Sequence, residues 1–213
     1  MKKILLTAAV MACIVSQSIG QDNTTDYRKK FQFGLKVGTN YSNIYDSQGD
    51  KFDAESKFGL AGGVFMAIPI GKFFGIQPEV LFSQKGYKQT GSFLGSTYEL
   101  NRTTNYIDIP LLVSIKPVKN MTIQVGPQYS YLLRQKDVFA NELTSIEQQN
   151  EFKNDNIRKN TLCFVGGVDI NLKRMVIGTR AGWDVLNNSG DGTSTNPRYK
   201  NAWVQATVGF RIL

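Results

Sequence analysis

Charged side chains recur along this chain at positions flanked by apolar residues: Lys36, Glu79, Lys85, Asp108, Lys116, Asp169, Arg180, Asp184 and Arg211. Glu79 and Asp108 are of the residue type that performs general acid–base catalysis, but each stands among lysines and arginines, so ion pairing is the default expectation. The sequence has no histidine, which removes Ser-His-Asp and Cys-His nucleophilic machinery and the commonest metal ligand. Gly91-Ser92-Phe93-Leu94-Gly95-Ser96-Thr97 lacks the lysine of a phosphate-cradling loop and joins two strands instead of opening a helix. Asp46, Asp50, Asp53 and Glu55, or Asp184 and Asp191, miss the spacing of a helix-flanked calcium loop, and acidic loops are ordinarily just solvated. No catalytic, metal-binding or cofactor-binding residue is expected, and the chain reads as a non-enzyme.

The elements that carry these charges have a two-residue period. In Tyr106 to Lys116 the odd positions from Ile107 to Ile115 are aliphatic, while Asp108, Ser114 and Lys116 are even; after a break at Pro117 to Asn120, Met121, Ile123, Val125, Tyr129 and Tyr131 alternate with Thr122, Gln124, Gln128 and Ser130. Such alternation makes a hairpin of two strands, each apolar on one face. The same pattern gives a first strand from Phe31 to Tyr41, a second from Phe58 to Ile70, a third from Ile76 to Lys85, a sixth from Leu162 to Leu172, a seventh from Met175 to Val185 and a last from Ala202 to Ile212. Connections alternate long and short. Gln89 to Thr97 reads as a loop, and so does Lys136 to Asn160, with a short helix near Phe139 to Glu151.

Eight antiparallel strands of about ten residues, with short turns at one end and long loops at the other, are the pattern of an outer-membrane barrel. The expected fold class is therefore all-β, an eight-stranded antiparallel transmembrane barrel with up-and-down connections. Two-faced strands also build soluble sandwiches, whose apolar face is the core. Three features favour the membrane: strand length, the absence of charge on the apolar face, and glycines such as Gly34, Gly167 and Gly182 on the opposite face, where they make room for larger neighbours in a narrow interior. The polar face then lines the lumen, and Lys36, Glu79, Lys85, Asp108, Asp169, Arg180 and Arg211 are expected to form a structural network of ion pairs, because an unpaired buried charge costs several kcal/mol. Eight strands leave an interior that side chains fill, so no open pore is expected.

Met1-Lys2-Lys3, the apolar run Ile4 to Val15 and the small residues before Gln21 read as a secretory signal peptide cleaved after Gly20. The expected organisation is a signal peptide over 1–20, a mobile periplasmic lead-in over 21–30 and the barrel over 31–213. Removing Lys2 and Lys3 lowers the formal charge from +8 to +6. That excess lacks the clustered basic and aromatic runs of a nucleic-acid binder. Only Cys163 would remain beside the lost Cys13, so no intrachain disulfide is expected.

Three stretches carry a family resemblance. Gln77-Pro78-Glu79-Val80-Leu81-Phe82-Ser83-Gln84-Lys85-Gly86, Tyr106-Ile107-Asp108-Ile109-Pro110-Leu111-Leu112 and Gly166-Gly167-Val168-Asp169-Ile170, together with the leader and the eight-strand pattern, resemble the PorT-like outer-membrane β-barrel family of Bacteroidetes. The resemblance covers nearly all of the mature chain. It implies residence in the outer membrane and, through some relatives, a link to protein secretion. On this reading the partners are outer-membrane lipids and lipopolysaccharide, the barrel-assembly machinery during insertion, and other envelope or secretion proteins met through the external loops. The competing functions are a narrow porin-like solute path and a secreted soluble β-protein that binds a small hydrophobic ligand.

Overall fold

The computed structural model describes residues 27–45, 54–93, 96–141, 144–150, 158–188 and 199–212. The expected leader, its cleavage after Gly20, Cys13, and the acidic residues Asp46, Asp50, Asp53 and Asp191 lie outside these. After a 3-10 turn at Tyr27–Lys29 come β1 (Gln32–Tyr45), β2 (Ala54–Pro69), β3 (Phe74–Phe93), β4 (Ser96–Val118), β5 (Met121–Asn141), β6 (Thr144–Asn150), β7 (Asn160–Leu172), β8 (Met175–Asp184) and β9 (Lys200–Arg211). Every pairing is antiparallel, β1 bonds to both β2 and β9, and the β4–β5 ladder completes a closed barrel of eight strands. Closure matters because it leaves the barrel no edge with unpaired backbone groups.

The remaining strand, β6, is an appendage. β7 pairs with β5 only from Met121 to Tyr131, so the edge of β5 from Gln135 to Asn141 is taken by β6. Over its described residues, 139–141 and 144–150, the helix expected near Phe139 to Glu151 is therefore a β-ribbon, and the loop expected from Lys136 begins as strand. Pairing to an otherwise open edge decides the conformation of this polar segment, where composition suggested helix. The loop expected from Gln89 to Thr97 is likewise mostly ladder, since β3 and β4 stay paired up to Phe93 and Ser96.

The short connections lie at one end. Leu172 opposes Met175 across the two-residue turn Lys173-Arg174, with Lys173 at a φ of 40°, a left-handed conformation such tight turns demand. Between β4 and β5, Ile115 opposes Ile123, which encloses the odd number of residues that the facing pattern requires. A bulge before Val118 then lets Val118 oppose Met121 across a two-residue turn. The extra residue is absorbed in the ladder, so no face changes sides.

Burial runs opposite to that of a water-soluble sheet. Val37 is 59% exposed and Leu111 is 53% exposed, while Lys36, Glu79, Lys85, Asp108 and Arg180 are all buried. The outward residues form an apolar belt, with Tyr41, Tyr129, Tyr131 and Trp183 among its exposed aromatics. Phe65, Leu81, Leu112, Val165 and Trp203 point inward and are buried. Two lumen glycines accommodate such bulk. A methyl group on Gly182 would sit 2.5 Å from the Trp203 ring, and one on Gly34 would sit 2.6 Å from that of Phe65.

Candidate functional site

Among the described residues, most of the lumen charges gather in two separate clusters, the first joining strands that are not neighbours in the sheet and the second running from each strand to the next. In the first, Glu79 of β3 accepts from Lys36 Nζ at 2.8 Å, and from Arg180 Nη1 and Nη2 of β8 at 2.7 and 2.8 Å. Gln77 Nε2 donates to the same carboxylate at 2.7 Å, and Arg180 Nη2 also reaches Gln124 Oε1 at 2.5 Å. Asp169 lies 3.7 Å from Arg180. The fork of a guanidinium matches both oxygens of a carboxylate, so this arrangement fixes geometry as well as charge. Gly167 permits it: a Cβ there would lie 2.5 Å from Arg180 Cγ.

The second cluster is a relay of hydrogen bonds. Lys85 Nζ is 3.1 Å from Asp108, Ser130 Oγ donates to Asp108 at 2.6 Å, and Cys163 Sγ lies 3.3 Å from Ser130 and donates to Asp184 at 3.1 Å. Asn201 closes the chain on Asp184 through its side chain at 2.6 Å and its backbone N–H at 3.1 Å. The Lys85 ammonium lies 3.7 Å from the centre of the Trp203 ring, a cation–π contact strengthened by exclusion of water. Cys163 packs with Leu112, Val165 and Trp203 in an apolar cluster. Glu79 and Asp108 thus bind different cations and do not form a carboxylate dyad.

Arg211 stands apart from both clusters. Its Nη1 donates to the Lys173 carbonyl at 2.8 Å, and its Nη2 bonds Asn171 Oδ1. A cavity of about 190 Å³ opens at this short-turn end, lined by Arg28, Lys116, Lys119, Asp169, Lys173 and Arg211 among others. The last residues of the expected lead-in form the 3-10 turn here, where Arg28 is buried and its carbonyl accepts from Lys116 Nζ at 3.4 Å.

At the opposite end is a cluster that the sequence pattern does not reveal. Arg102 grips Asp137 with Nε and Nη2 at 2.7 and 2.8 Å, and its Nη1 donates to the Tyr199 hydroxyl at 3.0 Å. Tyr87 and Tyr199 meet edge to face with ring centres 5.7 Å apart, beside Ile44. Burial pushes the Tyr87 hydroxyl well above its ordinary pKa. The signal that could have exposed part of this cluster is the inward parity of Tyr87 and Arg102, which requires β3 and β4 to be extended past the apolar belt; Asp137 reaches the same face only through the bulge in β5 between Leu132 and Arg134, which alternation does not reveal. Among the described residues, no group of three or more His, Cys, Asp or Glu side chains is placed to hold a metal.

A family model described as an outer membrane protein beta-barrel domain matches residues 16–189. No curated protein matches the chain. Among solved structures, the attachment invasion locus protein Ail of Yersinia pestis is 11% identical, with a TM-score of 0.47 over 86% of this chain and 99% of that one. Neisserial surface protein A is 11% identical, with a TM-score of 0.48 over 84% and 96%. The N-terminal barrel domain of Pseudomonas aeruginosa OprF is 8% identical, with a TM-score of 0.41 over 86% and 100%.

Proposed function

Because this chain belongs to the family of outer membrane protein beta-barrel domains and so resides in the outer membrane, we propose that it is a non-enzymatic structural or interaction protein whose working surface is the end carrying the long connections. One observation carries this reading. β3, β4 and β5 run 20, 23 and 21 residues, about twice the 9–11 that cross a bilayer. With short turns toward the periplasm, the surplus of each strand, together with the ribbon β6, stands outside the cell as a rigid platform. Arg102, Asp137 and the Tyr87–Tyr199 pair brace its base.

The finer placement is a PorT-like barrel of Bacteroidetes with a signal peptide processed after Gly20. Its partners on this reading are outer-membrane lipids and lipopolysaccharide around the rim, the barrel-assembly machinery during insertion, and an envelope or secretion protein on the platform. The lumen charges Lys36, Glu79, Lys85, Asp108, Asp169 and Arg180 serve as an ionic core in place of an apolar one, with Arg211 at the inner mouth. The filled lumen weighs against a solute path.

The test is photo-crosslinking in the native host from probes on the outward face of β5. Exchanging residues 142–157 for a Gly-Ser linker of equal length is expected to abolish the crosslinked species while the barrel keeps its heat-dependent gel mobility. Persistence of the same crosslinks would place the working surface elsewhere. Regular single-channel steps from the intact chain in planar bilayers would replace this reading with a solute path.

A further inference from the structure

The cavity at the short-turn mouth lies at the opposite end of the barrel from the platform, and its chemistry is distinct. It measures about 190 Å³, and its charged lining is Arg28, Lys116, Lys119, Lys173 and Arg211, with Asp169 the one carboxylate of that lining among the described residues. Several of these cations rest against neutral groups. Lys116 Nζ donates to the Arg28 carbonyl at 3.4 Å, and Arg211 donates to the Lys173 carbonyl at 2.8 Å and bonds Asn171. Asp169 itself lies 3.7 Å from Arg180 of the neighbouring cluster. The lining is therefore one whose pairing acids from a further stretch of chain would complete.

The chain itself enters this mouth. β1 begins at Gln32, between β2 and β9, yet Arg28, just upstream, does not hang outside its own strand. Arg28 is buried, its carbonyl meets Lys116 of β4, and its guanidinium lies 5.8 Å from the centre of the Phe73 ring in the β2–β3 turn. In the sheet, β2 and β3 separate β1 from β4. The 3-10 turn at Tyr27–Lys29 thus reaches over the opening, and the sequence that precedes it sets out from there.

That sequence is Gln21-Asp22-Asn23-Thr24-Thr25-Asp26, which carries two acids and no base. Asp26 adjoins Tyr27, and even a fully extended chain places Asp22 within about 18 Å of it. The cavity exceeds the roughly 150 Å³ that admits a benzene-sized guest, so it has room for carboxylate side chains. We propose that residues 21–26 occupy this cavity, with Asp22 and Asp26 pairing with its lysines and arginines and sealing the short-turn mouth from within the chain. Cations excluded from water need an anion, and an arginine fork fits a carboxylate closely. A tethered segment needs little intrinsic affinity, because a short link holds it at an effective concentration on the order of mM. On this account the lead-in is a plug, not a mobile tail. The proposal stands independently of the platform and its protein partner.

The test labels a cysteine placed in the cavity. Val176→Cys, at a buried position of the lining, is combined with Cys163→Ser, and the full chain is expressed in the native host and assayed in open outer-membrane fragments. A small anionic methanethiosulfonate is expected to label it slowly. Asp22→Asn with Asp26→Asn should speed labelling on the order of tenfold, at roughly threefold for each ion pair lost. Exchanging residues 21–26 for a Gly-Ser segment of equal length should do at least as much. In both variants the anionic reagent should outpace a cationic one of the same size, and the reverse order would contradict a basic lining. Fast labelling with the segment unmodified would reveal a cavity open to some other ligand, and slow labelling after the Gly-Ser exchange would reveal a mouth shut by other residues. Either result overturns the proposal. Slow labelling of the Asn variant beside fast labelling of the Gly-Ser exchange would make the segment a filler without charge recognition, which overturns the pairing. Each chain is scored only with heat-dependent gel mobility intact, and Ala67→Cys, also buried in the lining, serves if Val176→Cys does not fold.

Discussion

Glu79→Ala is expected to lower the unfolding free energy by about 3–5 kcal/mol, the largest loss from any single lumen substitution. Glu79 is the anion shared by Lys36 and Arg180, at 2.8 and 2.7 Å, and all three side chains are buried. Removing it leaves two cations facing each other without water to screen them. Asp169, 3.7 Å from Arg180, takes up only part of the imbalance. The cost therefore reflects stranded charge more than lost attraction, which yields a second expectation: adding Lys36→Met and Arg180→Met to Glu79→Ala should recover much of the loss. Urea unfolding in lipid vesicles, followed by tryptophan fluorescence and gel mobility, measures both. A loss under about 1 kcal/mol for the single variant would mean that water enters this part of the lumen and screens the charges.

Leu111→Arg is expected to cost about 2–4 kcal/mol in a bilayer, the range for a cation on the lipid face near the midplane. Leu111 is the middle of the outward aliphatic row from Ile107 to Ile115. On a solvated surface, a residue already 53% exposed would accept arginine within about ±0.5 kcal/mol. The two environments thus differ by several-fold in the expected effect. The same replacement at Val118, near the short turns, should cost little, because depth sets the penalty. Equal and small effects at both positions would place Leu111 in water and make the apolar face something other than a membrane surface.

The facing pattern was legible because lipid and lumen impose opposite demands on successive residues. Asp108 and Ile109, or Arg180 and Ala181, could be assigned to opposite faces from alternation alone. The pattern stops where the lipid stops. In Gln89, Thr90, Glu99, Asn101 and Thr103 neither face needs to be apolar, so the upper halves of β3 and β4 resemble loop. Leu81 and Leu112 were hidden for another reason: each lies between outward apolar neighbours, so the run looks continuous although the central residue fills the lumen. The division of the charges into clusters was not legible either. Lys36 and Glu79 lie on β1 and β3 with β2 between them, and Arg180 meets Glu79 across 101 positions of sequence. Such contacts depend on barrel closure and on register, which no local pattern specifies.

The two tryptophans, Trp183 and Trp203, test the inside-out arrangement most directly. Trp183 is 42% exposed on the outward face, and Trp203 is 4% exposed in the lumen. Each is kept alone by a Trp→Phe change at the other, and the protein is refolded into vesicles whose acyl chains carry bromine, a short-range fluorescence quencher. Strong quenching of Trp183 with little quenching of Trp203 is the expected result. Comparable quenching of both, or protection of Trp183, would contradict a barrel whose apolar face meets lipid and whose charges lie within.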